Sequence, residues 1–415
     1  MKIRQTLAEQ DKANAGWQRD LSISNERIGD VLVAQGKLQE ALEAYQQNLK
    51  IRQTLAEQDK TNSGWQWDLS ISNERIGDVL AAQGKPQEAL EAYQQRLTIM
   101  KRLAAQDKTN AGWQRDLSVS YEKVGEMLVA QGKLPEAQGA YQQDLAIAKA
   151  LVEQDKTNSG WQRGLSVSYE KVGDLLKVQG KLPEALEAYR QCLKIRQTLA
   201  EQDKTNADWQ RDLSVSYDKV GEALMAQGEL PEALEACQQS LKIGQTLAEQ
   251  DKTNSGWQQD LSLGYERVGE VLVAQGKLPE ALEAYQQSLK IGQTLAERDK
   301  TNSGWQRDLS VSYNKVGEVL VAQGKLPEAL EVYQQSLKIR QTLVERDKTN
   351  SGWQRDLIVS LYEVATTMAK IGGDDGGFRA QKLVQEALNL TDKYPGNDRQ
   401  QLIDALNQAL QQLDH

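Results

Sequence analysis

The side chains best spaced to do chemistry in this sequence are carboxylates. Acids four residues apart recur along it: Glu26 and Asp30, Glu74 and Asp78, Glu122 and Glu126, Glu170 and Asp174, Asp218 and Glu222, Glu266 and Glu270, with Glu318 beside Asn314. Acids at that spacing share one face of a helix. Stacked helices would align them into a ladder that favours a basic partner segment, through its field and the encounter rate more than through net affinity. A lysine or arginine follows the first acid, as Lys123 and Arg267 do, so the same charges also read as plain solvation of a helix surface.

Other chemistries are poorly supplied. The one histidine is His415, the final residue, which leaves Ser-His and Cys-His nucleophiles without a base. The glycines follow a long period rather than a phosphate-binding GxxxxGK[ST] or GxGxxG pattern. Cys192 and Cys237 lie far apart with no metal-ligand spacing, which suits a reducing cytosol and reads as packing thiols. The run Gly372-Gly373-Asp374-Asp375-Gly376-Gly377 lacks the alternating oxygen ligands and terminal Glu of a cation loop and reads as a flexible turn. No catalytic residue, cofactor or metal is expected. A net charge of −9 over 415 residues argues against a nucleic-acid partner. No apolar run approaches membrane-spanning length, and the opening MKIRQTLAEQDK is a piece of a repeat rather than a signal peptide. The expectation is a soluble cytoplasmic protein.

The elements that carry these residues are set by a repeat. Trp17, Trp65, Trp113, Trp161, Trp209, Trp257, Trp305 and Trp353 stand 48 residues apart without insertion or deletion. Such a period means stacked supersecondary units rather than one central core. In residues 257–304, Trp257, Leu261, Tyr265, Val268 and Leu272 form one helical stripe. A Ser-x-x-Gln box from Ser255 to Gln258 predicts the cap of this first helix, and Gly276 its end. Pro279 opens a second helix running to about Asp299. That helix is apolar on two sides, with Leu282, Tyr285 and Leu289 against Ala281, Ala284, Ile291 and Leu295, as a helix sandwiched between neighbours must be. Lys300, Thr301 and Asn302 form the polar turn into the next copy. The tryptophan, in phase with Leu, Tyr and Val, reads as core between hairpins.

The stretch YERVGEVLVAQGKLPEALEAYQQSL resembles the tetratricopeptide repeat family, with its glycines at Gly269 and Gly276, small Ala281, aromatic Tyr285 and small Ser288. Gly125, Gly132, Ala137 and Tyr141 repeat the pattern. The unit is longer than that family's usual one and is similar to the extended-helix variety of kinesin light chain, nephrocystin-like proteins and bacterial arrays. The resemblance implies an all-α, right-handed superhelical solenoid of antiparallel helix hairpins, about eight repeats plus a C-terminal capping helix. It also implies a groove lined by the first helices. The family's groove positions fall in the third copy on Val119, Glu122, Glu126, Val129 and Ala130, and elsewhere on the acids named above.

The expected organisation is a partial second helix over residues 1–14, tandem repeats over 15–371, and a degenerate helix with a capping helix over 372–415. In the last helix Leu402, Ile403, Leu406, Leu410 and Leu413 share one face, opposite Gln401, Asp404, Asn407, Gln408 and Gln411. The start lacks such a cap and leaves Ile3 and Leu7 on an open edge. This suggests either the C-terminal part of a longer protein or an edge that stacks on another chain. Among near-identical copies, Trp67 replaces an arginine and reads as an interface anchor or as surface drift. Lys177 for Val and Gly164 for Asp are similar departures. The expected function is a protein-interaction scaffold binding a protein or extended peptide with basic segments, the sensor or adaptor arm of a larger bacterial-type protein. Head-to-tail self-assembly is the alternative.

Overall fold

The computed structural model describes residues 2–372 and 376–413, with eighteen helices among them. Contacts divide the chain into two compact units, residues 1–203 and 204–415. The first holds α1 (Lys2–Gln10), α2 (Ala15–Ala34), α3 (Leu38–Gln58), α4 (Ser63–Ala82), α5 (Pro86–Gln106), α6 (Ala111–Ala130), α7 (Leu134–Gln154), α8 (Ser159–Val178) and α9 (Leu182–Gln202). The second holds α10 (Ala207–Gln227), α11 (Leu230–Gln250), α12 (Ser255–Ala274), α13 (Leu278–Arg298), α14 (Ser303–Ala322), α15 (Leu326–Arg346), α16 (Ser351–Ile371), α17 (Gly376–Thr391) and α18 (Arg399–Leu413). Within each unit every helix packs on the next, giving consecutive antiparallel hairpins stacked as a solenoid.

The hairpin of α12 and α13 shows why these residues fold this way. The cap is Asn254, one residue before the expected Ser255. Asn254 is extended (φ −72°, ψ 101°) and its side chain accepts the Trp257 N–H at 3.1 Å, whereas Ser255 is already helical. At the far end Gly276 takes φ +74°, and the Lys277 N–H donates to the Leu272 carbonyl at 2.9 Å. This left-handed closure is costly for any residue with a Cβ. Between the helices Gly269 faces Tyr285, so close that a Cβ on the glycine would lie 2.6 Å from the ring. The same Gly–Tyr contact holds Gly29 to Tyr45, Gly77 to Tyr93, Gly125 to Tyr141, Gly173 to Tyr189 and Gly317 to Tyr333. A small residue opposite a ring sets the helix separation, and fully buried Ala281 sits one turn from Tyr285 on α13.

The periodic tryptophans are half-buried near the starts of the first helices, not inside the core as expected. The core is carried instead by the Ala, Tyr and Leu columns of the second helices, such as Ala89, Tyr93 and Leu103. At the C-terminal end, α18 buries Leu406 and Ala409 and exposes Gln401, Asp404, Asn407, Gln408 and Gln411. Gly373, Asp374 and Asp375 of the glycine-rich turn lie outside the described residues, as does His415.

Candidate partner-binding face

The repeated acids lie on the first helices of the hairpins, and the structure divides them into two classes. The first acid of each pair is half-buried. In the first unit Glu26 pairs with Arg52 at 2.5 Å, Glu74 with Arg96 at 3.2 Å and Glu170 with Arg196 at 2.7 Å. All three arginines are buried residues of second helices. Arg52 and Arg196 occupy the same repeat position. Arg96 stands one turn earlier in its helix, where the corresponding later residue is Met100.

In five of these pairs the second acid meets a base from the following repeat of the same unit. Asp30 lies 4.0 Å from Arg75, Asp78 3.1 Å from Lys123 and Glu126 2.6 Å from Lys171 in the first unit. In the second unit Glu222 pairs with Arg267 at 2.5 Å and Glu270 with Lys315 at 3.4 Å. Asp30, Asp78 and Asp174 also accept hydrogen bonds from the hydroxyls of Tyr45, Tyr93 and Tyr189, at 2.8, 2.7 and 2.7 Å. The bases that follow the first acids in sequence therefore reach back to the previous repeat. The expected acidic groove is, at these links, a ladder of alternating charge. Partly exposed pairs of this kind add little stability each, about 0–1 kcal/mol, but they hold one repeat in register with the next.

Some carboxylates escape this neutralisation. Glu122 has Ala148 where Arg52 and Arg196 stand, and burial together with Glu126 and Asp144 pushes its carboxyl up to about 7. Asp218 has Gly244 at that position, and burial pushes it up to about 6. Glu266 has Gly292 there. It accepts instead from the hydroxyls of Ser288 and Ser312, at 2.8 and 3.0 Å, and burial raises its carboxyl. Glu318 meets Lys315 of its own helix at 4.0 Å but faces Glu363 in the next repeat, which stands where Arg75, Lys123, Lys171, Arg267 and Lys315 stand in other copies. Burial, with Glu318 adding to it, pushes Glu363 up to about 7, while Asn314 donates to it at 2.6 Å. The Glu318 side chain is 55% exposed, and both acids line a recess of about 530 Å³ among α14, α15, α16 and α18.

Apolar side chains share this face. Val119 and Val129 are half-buried on α6, while their second-unit counterparts Val215, Leu263 and Val273 are exposed, Leu263 by 44%. Trp67 has an intramolecular role. Arg19, Arg211 and Arg307 each bridge to an aspartate of the next repeat, Asp68, Asp260 and Asp356. Trp67 keeps that link, donating its indole N–H to Asp116 at 2.6 Å. Lys177 is an exposed residue in the last turn of α8, a favourable place for a cation near the helix C-terminus. Cys192 and Cys237 are buried, and burial pushes the Cys237 thiol up to about 12.

Residues 166–203, 214–251 and 260–342 match tetratricopeptide repeat families. This is a tetratricopeptide repeat protein. Among solved structures, the array resembles the apo form of RapI, at 11% identity over 95% of this chain and 97% of that one, with TM-score 0.54. It also resembles BtubC (BKLC) from P. vanneervenii, at 17% identity over 62% of this chain and 92% of that one, with TM-score 0.50. At these identities the likeness is one of fold. No curated protein matches in sequence. No helix among the described residues of this tetratricopeptide repeat array is long and apolar enough to cross a membrane.

Sequence reasoning missed the polar layer beneath the face. Arg52 also donates to the Asp68 carbonyl at 2.9 Å and to Ser72 at 3.3 Å, with Ser22 at 3.4 Å from its Nε. Arg340 repeats this with Ser310, the Asp356 carbonyl and Ser360, at 3.2, 2.8 and 2.8 Å. The signal available was the arginine itself, recurring as Arg52, Arg196 and Arg340 in phase with the buried Tyr and Leu columns of the second helices.

Proposed function

We propose that this chain is a protein-interaction scaffold whose first-helix face takes an extended segment of another protein carrying basic side chains. The observation that carries the reading is the pair Glu318 and Glu363, in which a carboxylate takes the place of the base that the following repeat supplies elsewhere, while Glu318 meets Lys315 of its own helix at 4.0 Å. Where the preceding described links place a base against the acid, this one places a second carboxylate beside an open recess. A basic side chain there would relieve the repulsion between the two acids, and the exposed Val215, Leu263 and Val273 offer apolar contact on the preceding first helices α10 and α12. Repeated, nearly identical surfaces suit an extended ligand better than one compact epitope. The reading places the protein in the cytoplasm as the sensor or adaptor arm of a bacterial-type assembly.

The test is affinity capture from native-source lysate with the parent chain and with Glu363→Lys, which restores the ordinary acid–base link. Salt-sensitive capture by the parent that is lost in the variant supports the reading. Equal capture by both removes this face. Head-to-tail stacking through α1 is a second reading, favoured by Ile3, which is 77% exposed. It predicts a size that grows with concentration in light scattering, and a strict monomer removes it.

A further inference from the structure

Seven second helices share a position occupied in turn by Arg52, Met100, Ala148, Arg196, Gly244, Gly292 and Arg340. Where it is arginine, the guanidinium is held by a fixed set of groups. Arg52 reaches Ser22, Glu26, the Asp68 carbonyl and Ser72. Arg196 reaches Ser166 and Glu170, and Arg340 reaches Ser310, the Asp356 carbonyl and Ser360. Shifted by whole repeats, the Arg52 set falls on Ser262, Glu266, Asp308 and Ser312 around Gly292. Those four and Gly292 line a cavity of about 270 Å³, far above the roughly 10–15 Å³ that one water needs. Leu263, 44% exposed, and half-buried Trp305 also line it, so it opens toward the first-helix face.

We infer that this cavity receives an arginine side chain from the bound protein segment, its guanidinium taking the place that Arg52 and Arg340 fill from within. The inference rests on the scaffold reading above and names one anchor for it. Glu266 has no arginine of its own chain at this position. Its polar contacts are hydroxyls from Ser288 and Ser312, and Ser262 meets Ser288 at 2.9 Å. The acceptors at hand are the Glu266 carboxylate, the serine hydroxyls and the Asp308 main-chain carbonyl, which accepts from Ser312 at 3.3 Å and corresponds to the Asp68 and Asp356 carbonyls that take Arg52 and Arg340. A planar guanidinium with five N–H groups meets such a set, whereas an ammonium is a point donor that serves only part of it. The Gly244 copy is a weaker case, since Asp218 is shorter than Glu266 and Gly264 replaces the serine equivalent to Ser312.

Calorimetric titration of the full chain tests this, with ethylguanidinium and n-butylammonium chlorides compared at constant ionic strength. A pentapeptide with a central arginine is compared in the same way with its lysine analogue. The expected result is saturable binding of ethylguanidinium and of the arginine peptide at least tenfold tighter than their ammonium counterparts. Gly292→Arg should abolish it, because the variant's own guanidinium fills the place. A Cβ at Gly292 meets only ordinary contacts, 3.6 Å from Leu309 and 3.8 Å from the Ser312 hydroxyl, so this variant should fold. Glu266→Gln, which keeps the shape, should weaken binding at least tenfold. Equal affinity for the two cations, or unchanged binding in Gly292→Arg, overturns the inference. If Gly292→Arg loses ethylguanidinium yet captures the lysate partner as the parent does, the pocket is not that partner's anchor, and the inference also falls. Loss of capture in Glu363→Lys is read separately, so the scaffold reading survives either failure.

Discussion

Replacing Glu122 by Gln should remove one contribution to the pH dependence of stability, leaving those of Asp218 and Glu363 in place. The Glu122 carboxyl rises from an ordinary 4.5 to about 7 because burial disfavours its charge and Glu126 and Asp144 repel it, while Lys171 and Lys123 oppose the rise. Since the native pKa exceeds the unfolded one, the native state binds the proton more tightly. The stability from this group is full below about pH 4.5 and is lost as pH rises through about 7. Moving the carboxyl from 4.5 to about 7 sets an upper bound near 3.5 kcal/mol, and about 2 kcal/mol is realistic for a side chain still in partial contact with water. The gap in stability between Glu122→Gln and the parent should open in favour of the variant between pH 4.5 and 8. Chemical denaturation of both proteins at several pH values measures it. The difference isolates this residue from Asp218 and Glu363, whose carboxyls are also raised. A gap constant across that range, or a Glu122 carbon resonance titrating near 4.5, would refute the reasoning.

Two further substitutions probe packing and repeat register. Gly125→Ala places a Cβ 2.5 Å from the Tyr141 ring and should cost about 1–3 kcal/mol by overpacking, measured as a lower denaturation midpoint. Gly164→Asp should stabilise, by about 0.5–1.5 kcal/mol in the same measurement. It removes a mid-helix glycine with nothing within 4 Å of its would-be Cβ, and supplies Arg115 with the aspartate that Arg19 finds in Asp68. An unchanged midpoint in Arg115→Gln/Gly164→Asp relative to Gly164→Asp would show that the pair adds nothing.

The fold was legible because its signals are local and repeated. Gly276, Pro279 and the 48-residue tryptophan spacing mark turns and period without knowledge of packing. The misplacements are short-range competitions: Asn254 rather than Ser255 caps α12, since the asparagine is still extended and can turn back onto the helix. The charge ladder was legible in its acids but not in its state. Lys123 follows Glu122 in sequence, yet its amine reaches Asp78 in the preceding repeat, and nothing short of the stacking geometry discloses that. The hydrogen-bond partner of Trp67 was hidden for the same reason, Asp116 being one repeat away.

The near-identity of the copies conceals a layer that is not repeated. The position of Arg52 holds four residue types in seven copies, and the one a turn earlier runs through Asn48, Arg96, Asp144, Cys192, Ser240, Ser288 and Ser336. These side chains are mostly buried, directly beneath the acids of the first helices. The acid is retained in six of the seven copies, with Asn314 in the seventh, while the residue beneath it changes from guanidinium to methyl to nothing. In a low-dielectric setting, that change decides whether the carboxylate above it is matched, protonated or open to an outside cation. Glu26 is matched by Arg52, Glu122 is pushed toward neutrality, and Glu266 is left with hydroxyls and a cavity. An array whose outer face looks uniform thus acquires distinct subsites from its interior. A partner's register along the array would then be set by where its cations meet unmatched acids, rather than by differences in the surface residues themselves.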